Sequence, residues 1–360
     1  MVNFFDTWKK KICTIDMALI AVLTLLASFI GSWLKQYPGL KLLGALIIAL
    51  LVGMALQLPL HAYKKNNDLR RAGVKSAAGL IANKLLRLGI ILLGFKLNLH
   101  DLFTKGITCL PIAAVLVAVM VCITYTIAKL LKVNPQLAML TAGGTSICGA
   151  AAVMGLSGSM PVLPEEEDEK EQNEVMAVAT VAIMGTIYAL AEIFILPHFG
   201  MTKQQLGITA GASLHEIAHA VAAGGAFDSI RESVSIDAAT IMKLSRVLML
   251  VPSSIFIAIW WNARHSKVEN GGKHKISFPW FMIGFIVASV IGTYVPFIKE
   301  HTSTLFGAGY VFLGMAMAAL GINVNFKAIF KKGRAAFAAS FLASIVLVIL
   351  ACAAAKIFFV

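Results

Sequence analysis

Two stretches of the 360-residue chain combine residue types that could do chemistry. One reads Thr141-Ala-Gly-Gly-Thr-Ser-Ile-Cys-Gly149, the other Gly211-Ala-Ser-Leu-His-Glu-Ile-Ala-His219. In the first, Gly143, Gly144 and Gly149 each weaken a helix by about 1 kcal/mol relative to alanine. Thr145 and Ser146 can bond to backbone groups that a break leaves free. The pattern predicts a discontinuous helix, and a half-helix that starts inside the apolar layer points unpaired N–H groups and a positive dipole end at an anion. Close helix packing through small residues is the simpler explanation, but it leaves the hydroxyls and Cys148 without a use. Gly143, Gly144, Thr145, Ser146, Cys148 and Gly149 are therefore candidate substrate-binding residues.

The second stretch carries His215, Glu216 and His219, with Ser213 just before them. Ionisable groups deep in an apolar segment are costly unless they serve a site, commonly a proton relay or a substrate contact. Histidine titrates near neutral pH, so His215, Glu216 and His219 are candidates for coupling to an ion, and Ser213 for contacting substrate. The same letters spell HExxH, in which two histidines on one helical face bind zinc and the glutamate acts as base. An intramembrane zinc protease is thus the rival reading. It needs a third ligand, and the carboxylates on flanking segments, Glu192, Asp228 and Asp237, have no informative context. No metal or cofactor is expected.

Lys243 and Arg246 lie three apart, hence on one helix face, inside another apolar segment. They need an anionic partner, either Glu216 or a bound substrate, unless they reach back to the interface. Lys84 and Arg87 pose the same question near the end of their segment. The acidic run Glu165 to Glu171 reads as a solvated surface.

The elements that must position these residues are membrane helices. The chain is 59% apolar and 14% charged, where a soluble domain has about 25% charged residues, so a soluble enzyme, a nucleic-acid binder and a disordered protein are excluded. Eleven apolar windows of spanning length follow one another: residues 17–34, 42–58, 76–99, 107–128, 135–160, 175–196, 206–227, 238–261, 278–297, 304–324 and 335–359. They leave no room for a soluble domain, so 1–360 reads as one polytopic unit. By helix rise, residues 143–149 lie roughly 12 to 21 Å from Pro135, and His215 roughly 14 Å deep. The basic run Lys9 to Lys11 before the first window resembles a signal peptide, but the window is too long and lacks a cleavage site, so it is expected to stay as a span.

The net charge of +13 is distributed as loop lysines and arginines. Taking alternate loops with the N-terminus inside, 19 basic residues fall inside and 9 outside, with Lys84, Arg87 and Arg246 within spans. That asymmetry predicts a cytoplasmic N-terminus and an external C-terminus. The five cysteines, at 13, 109, 122, 148 and 352, form no CxxC pair, so neither a disulfide framework nor a cysteine zinc site is expected. Gly94, Leu97, Asn98, Leu99, Leu102, Phe103, Lys105 and Gly106 match Gly321, Val324, Asn325, Phe326, Ile329, Phe330, Lys332 and Gly333. The matched segments end windows of opposite direction, which reads as an inverted repeat of the transporter kind.

With these residues in view, the chain resembles the bacterial sulfate exporter family of polytopic membrane proteins. The resemblance rests on Gly144 to Ala150, on Ser213 to Ala218, on Lys243-Leu-Ser-Arg-Val247, and on the Leu-Gly-Phe-Lys-Leu and Ala-Leu-Gly-Ile exits of the third and tenth windows. It departs at His219, where the family commonly has glutamine, which makes HExxH a local accident. The resemblance implies an all-α fold similar to sodium/proton antiporters and bile-acid symporters, with about 11 transmembrane helices. Inverted repeats and crossed, broken helices would surround a site near the midplane. It also implies a secondary transporter of a sulfate- or sulfonate-like anion in the inner membrane, coupled to protons or sodium, as a homodimer and without nucleic-acid partners. Lys243 and Arg246 would supply positive charge to the substrate.

Overall fold

The computed structural model describes residues 14–37, 44–64, 68–97, 99–104, 106–160, 162–228, 233–265, 280–323 and 326–359. The basic run Lys9 to Lys11, Arg231, Lys267 to Lys275 and the repeat residues Asn98, Lys105, Val324 and Asn325 lie outside them. The described residues form helices and no strands. In order these are α1 (Ile15–Leu34), α2 (Gly44–Ala55), α3 (Gln57–Lys64), α4 (Asp68–Leu93), α5 (Leu99–Thr104), α6 (Cys109–Leu130), α7 (Pro135–Ser146) and α8 (Ala150–Ser157). They continue with α9 (Glu167–Ile195), α10 (Lys203–Ser213), α11 (Ile217–Phe227), α12 (Val234–Leu248), α13 (Leu250–His265), α14 (Trp280–Tyr294), α15 (Pro296–Ile322) and α16 (Phe326–Phe358).

Among the described residues, seven segments are long and apolar enough to cross a membrane: Ile15–Leu34, Arg70–Lys96, Cys109–Leu130, Glu167–Phe199, Val234–Arg264, Glu300–Ile322 and Gly333–Phe358. Each overlaps one of the eleven windows. Many of their large apolar side chains, such as Phe29, Val115, Phe194, Phe256 and Ile349, point outward, as a lipid-facing surface requires.

The chain divides into two units. In the first, residues 1–96 and 284–325, α15 packs against α1, α2 and α4. Gly53 lies against the Ala318 backbone and Gly321 against the Leu50 carbonyl, so α2 and α15 cross at backbone distance, the close approach that small residues permit between membrane helices.

The second unit, residues 97–283 and 326–360, holds every candidate site residue. Its centre is α9, and two of the expected spans are arranged around it in an unexpected way. Gln136, at the start of α7, accepts a hydrogen bond from Asn173 at 2.8 Å, and Ser157, at the end of α8, donates to Glu174. Adjacent residues of α9 therefore hold both ends of the 135–160 window. Straightened into one span, α7 and α8 would separate those ends by roughly 30 Å. Instead Gly143 lies against Leu156 and Gly144 against Val153, so α8 runs back along α7.

The 206–227 window does the same from the other end of α9. Lys203 O accepts from Ser235 Oγ at 2.9 Å, and Asp228, just past α11, accepts from the Ser235 and Ile236 N–H groups at 2.9 and 3.1 Å. Along α12, Gly207 meets Ser235 and Gly211 meets Ala239, whereas Gly224 of α11 returns to Ser235 and Ile236. Both windows are thus helical hairpins that enter and turn back, and their tips meet in the middle of α9, where Gly144 packs on Val181 and both His215 and His219 approach Gly185. This corrects the expectation of crossed broken helices at these two windows. The physical reason is local: half-helices of 12, 8, 11 and 11 residues are each too short to span, and the chain reverses between them.

Candidate functional site

The first tip is built by the glycines that mark it in the sequence. α7 begins at Asn134, whose side chain accepts from Gln136 N–H at 2.9 Å, with Pro135 in the first turn. It ends at Ser146, and Gly149 then turns the chain with φ +68° and ψ −134° before α8 starts. That backbone region is open to glycine and strained for other residues. Ala152 and Val153 N–H both bond to Gly149 O, which leaves the Ala150 and Ala151 amides as the first, intrahelically unpaired donors of α8.

The second tip is polar where the first is small. α10 starts with a reciprocal cap, in which Thr202 Oγ1 accepts from Gln205 N–H while Gln205 Oε1 accepts from Thr202 N–H. It stops at Ser213. Leu214, His215 and Glu216 form the turn, and α11 begins at Ile217 with Glu216 as N-cap. The glutamate's side chain does not bond to its own helix. It lies instead against the other hairpin: a Cβ on Gly149 would stand 3.0 Å from Glu216 Cγ and 3.2 Å from His215 O. Glu216 is 6% exposed, and its Oε1 is buried without a hydrogen-bond partner.

Among the described residues, Lys243 and Arg246 hydrogen-bond to backbone carbonyls and not to a carboxylate. Both are fully buried, and their hydrogen bonds go to backbone carbonyls at the two tips. Lys243 Nζ donates to Ile147 O at 3.2 Å and to Leu214 O at 2.5 Å. Arg246 donates to Ser146 O at 2.7 Å through Nη2, and to Ala212 O at 2.5 Å and Leu214 O at 3.1 Å through Nη1. The C-terminal ends of α7 and α10, where the dipole is negative, are thereby covered by resident cations. The N-terminal ends of α8 and α11 meet at Glu216, the N-cap of α11, whose side chain packs on Gly149.

Around this junction, Thr145 Oγ1 and Ser340 Oγ are 2.8 Å apart, and His215 Nε2 lies 3.2 Å from Ser344 Oγ, both serines on α16. Ser146 Oγ and His215 Nδ1 are buried with no hydrogen-bond partner. Cys148 is buried in the first tip. His219 is buried on α11 beside Gly185. Gly143 faces Leu156 of α8, and Gly144 lies against Val153 of α8, Val181 of α9 and the Gly149 carbonyl. Ser213 donates to Glu192 Oε2 at 2.8 Å and to Thr209 O at 2.7 Å. Glu192, which the sequence offered only as a flanking carboxylate without informative context, joins the site through this bond. It lies in an otherwise apolar part of α9, buried, with Oε1 unpartnered, and a lone carboxylate three residues before the end of an apolar helix was the available signal.

The zinc reading meets a geometric obstacle. HExxH requires both histidines on one helix, whereas α11 starts at Ile217 and leaves His215 in the preceding turn. Among the described residues, no three or more His, Cys, Asp or Glu side chains are grouped to hold a metal ion.

A family model described as Conserved hypothetical protein 698 matches residues 17–340. The chain is 62% identical over 360 residues to a UPF0324 membrane protein of Bifidobacterium longum, with the whole of both chains covered. It is 46% identical to one from Lactobacillus johnsonii, covering 96% of this chain and 98% of that one. Identity to one from Bacillus cereus is 36%, covering 91% and 88%.

Proposed function

The chain belongs to the UPF0324 membrane protein family, described as Conserved hypothetical protein 698, and we propose that it is a secondary active transporter of a small anion. It is a multi-pass membrane protein by its apolar helices and by its relatives. One observation carries the transport reading: two half-helix N-termini, those of α8 and α11, meet inside the apolar layer while the opposing C-termini are neutralised by Lys243 and Arg246. Helix N-termini of this kind favour an anion. Irregular backbone at membrane depth is tolerated where it lines a cavity or site.

In this reading the anion meets the Ala150 and Ala151 amides and the Ser146 hydroxyl. Lys243 and Arg246 hold the tips and set the potential without touching substrate. His215, Glu216 and His219 couple the movement to protons. A sulfate- or sulfonate-like group suits the small, donor-rich junction, and the inner membrane with export as the direction follows the resemblance drawn from the sequence. Nine windows cross the membrane and two hairpins enter from opposite sides, with the N-terminus inside and the C-terminus outside. The opposite entry of the hairpins supports an inverted arrangement.

Purified protein in proteoliposomes, given labelled sulfate or labelled methanesulfonate with and without an imposed pH gradient, tests this. Gradient-driven flux of either anion that vanishes in liposomes without protein is the expected result. Absence of flux for both, with the protein correctly inserted, overturns it.

A further inference from the structure

Glu216 occupies an odd position for a glutamate. It is the N-cap of α11 but gives its own helix no side-chain cap, and its side chain packs on Gly149, the N-cap of α8. The carboxylate is buried, one oxygen lacks a partner, and two helix N-termini with unpaired amides face the same junction. We propose that the Glu216 carboxylate is a tethered anion that holds the substrate's place, so that a singly charged oxyanion binds only when Glu216 takes up a proton. The inference rests on the anion-transport reading and gives it a coupling rule.

The exchange balances. A proton forms an O–H bond on the carboxylate, which loses its negative charge, and a monoanion of sulfonate or carboxylate type brings one negative charge to the helix N-termini. One proton and one anion thus enter the site together, an electroneutral symport that exports the anion only where its outward gradient exceeds the inward proton gradient. Sulfate would bring two negative charges where the carboxylate gave up one, so only a monoanion leaves the buried charge unchanged, and methanesulfonate binds in preference to sulfate.

Other ionisable groups surround Glu216 and must be separated from it. Lys243 on α12 and Cys148 in the first tip interact with it directly, Arg246 and Glu192 interact with Lys243 in turn, and His215 and His219 share its hairpin. Protonating a histidine would also favour an anion as pH falls. Replacing Glu216 with glutamine, which keeps the shape and removes the charge, distinguishes the two.

The experiment is isothermal titration of methanesulfonate into the detergent-solubilised protein across a pH series, in two buffers of different ionisation enthalpy. Wild type is expected to take up close to one proton per anion bound and to gain about tenfold in affinity per pH unit where Glu216 titrates. The E216Q protein is expected to bind at the acidic wild-type level without proton uptake. Binding to wild type without proton uptake, or an E216Q protein that keeps the wild-type pH slope, overturns the coupling rule while leaving the transport reading in place. No binding of methanesulfonate or sulfate to either protein at any pH overturns both. If E216Q does not fold, the H215Q/H219Q protein decides: uptake of one proton per anion that persists there keeps the rule, and its loss overturns it.

Discussion

Lys203 and Asp228 flank one apolar window at opposite ends and yet both bond to Ser235, the first through its carbonyl and the second through its carboxylate. A segment that crossed the membrane between them would set them on opposite faces. Their shared partner makes the segment a hairpin, and the same logic applies to Gln136 and Ser157 through Asn173 and Glu174.

The hairpins fix a labelling pattern. With single cysteines in a cysteine-free background, N134C and E165C should react with an impermeant maleimide from one face of the membrane, and T202C and S233C from the other. Eleven simple crossings would instead put N134C and E165C on opposite faces.

Arg246 joins both tips through one planar guanidinium. Removing it strands buried carbonyls at about 1–3 kcal/mol each, so R246A should lower the melting temperature strongly and abolish flux. R246K keeps the charge but lacks the fork that reaches two hairpins, and should restore little of either. Thermal melts followed by size-exclusion chromatography, beside uptake assays, check both variants.

At Gly149, a Cβ would enter a backbone region unfavourable to other residues and press on Glu216. G149A should cost about 1–3 kcal/mol and reduce anion flux more than G200A, where φ is also positive but nothing lies within 4 Å of the added carbon.

Ser213 and Glu192 form a buried pair across α10 and α9. S213A should destabilise the protein by about 1–3 kcal/mol by leaving the carboxyl short of a donor. Added to an E192L background the same change should cost far less, because no polar group is then abandoned. Equal costs in both backgrounds would remove the pair from the account.

Asp228 anchors the start of α12. Burial pushes its carboxyl upward, but the Ser235 and Ile236 N–H groups outweigh this and hold it below the usual carboxylate range. A lowered value means that the contribution to stability is complete above the ordinary aspartate range and is lost as pH falls through the folded value. D228A should therefore cost about 1 kcal/mol at neutral pH, as lost caps do, and the difference from wild type should shrink in acid.

Much of this was legible in the residues. Composition and window length gave membrane helices, and the glycines at 143, 144 and 149 marked a break that the structure places at Ile147 to Gly149. The reversal of the chain was not legible, because a window of spanning length reads alike whether it crosses or folds back. Nor could charge counting reveal it: with both hairpins, Lys170 and Lys203 exchange sides and the split remains 19 to 9. Lys243 and Arg246 had a third option beyond a carboxylate or the interface, since backbone carbonyls freed by a break act as their partners. That option depends on a second break at Leu214 to Glu216, which no glycine run announces.

The most direct test of the central claim is to place the anion. Crystals grown in acidic buffer with bromomethanesulfonate, a singly charged probe whose bromine scatters anomalously, should show one bromine peak in the second unit at the junction of the α8 and α11 N-termini, beside Gly149 and Glu216. A junction without a peak at saturating probe, or a peak seated only on surface lysines, would contradict an anion site at the hairpin tips.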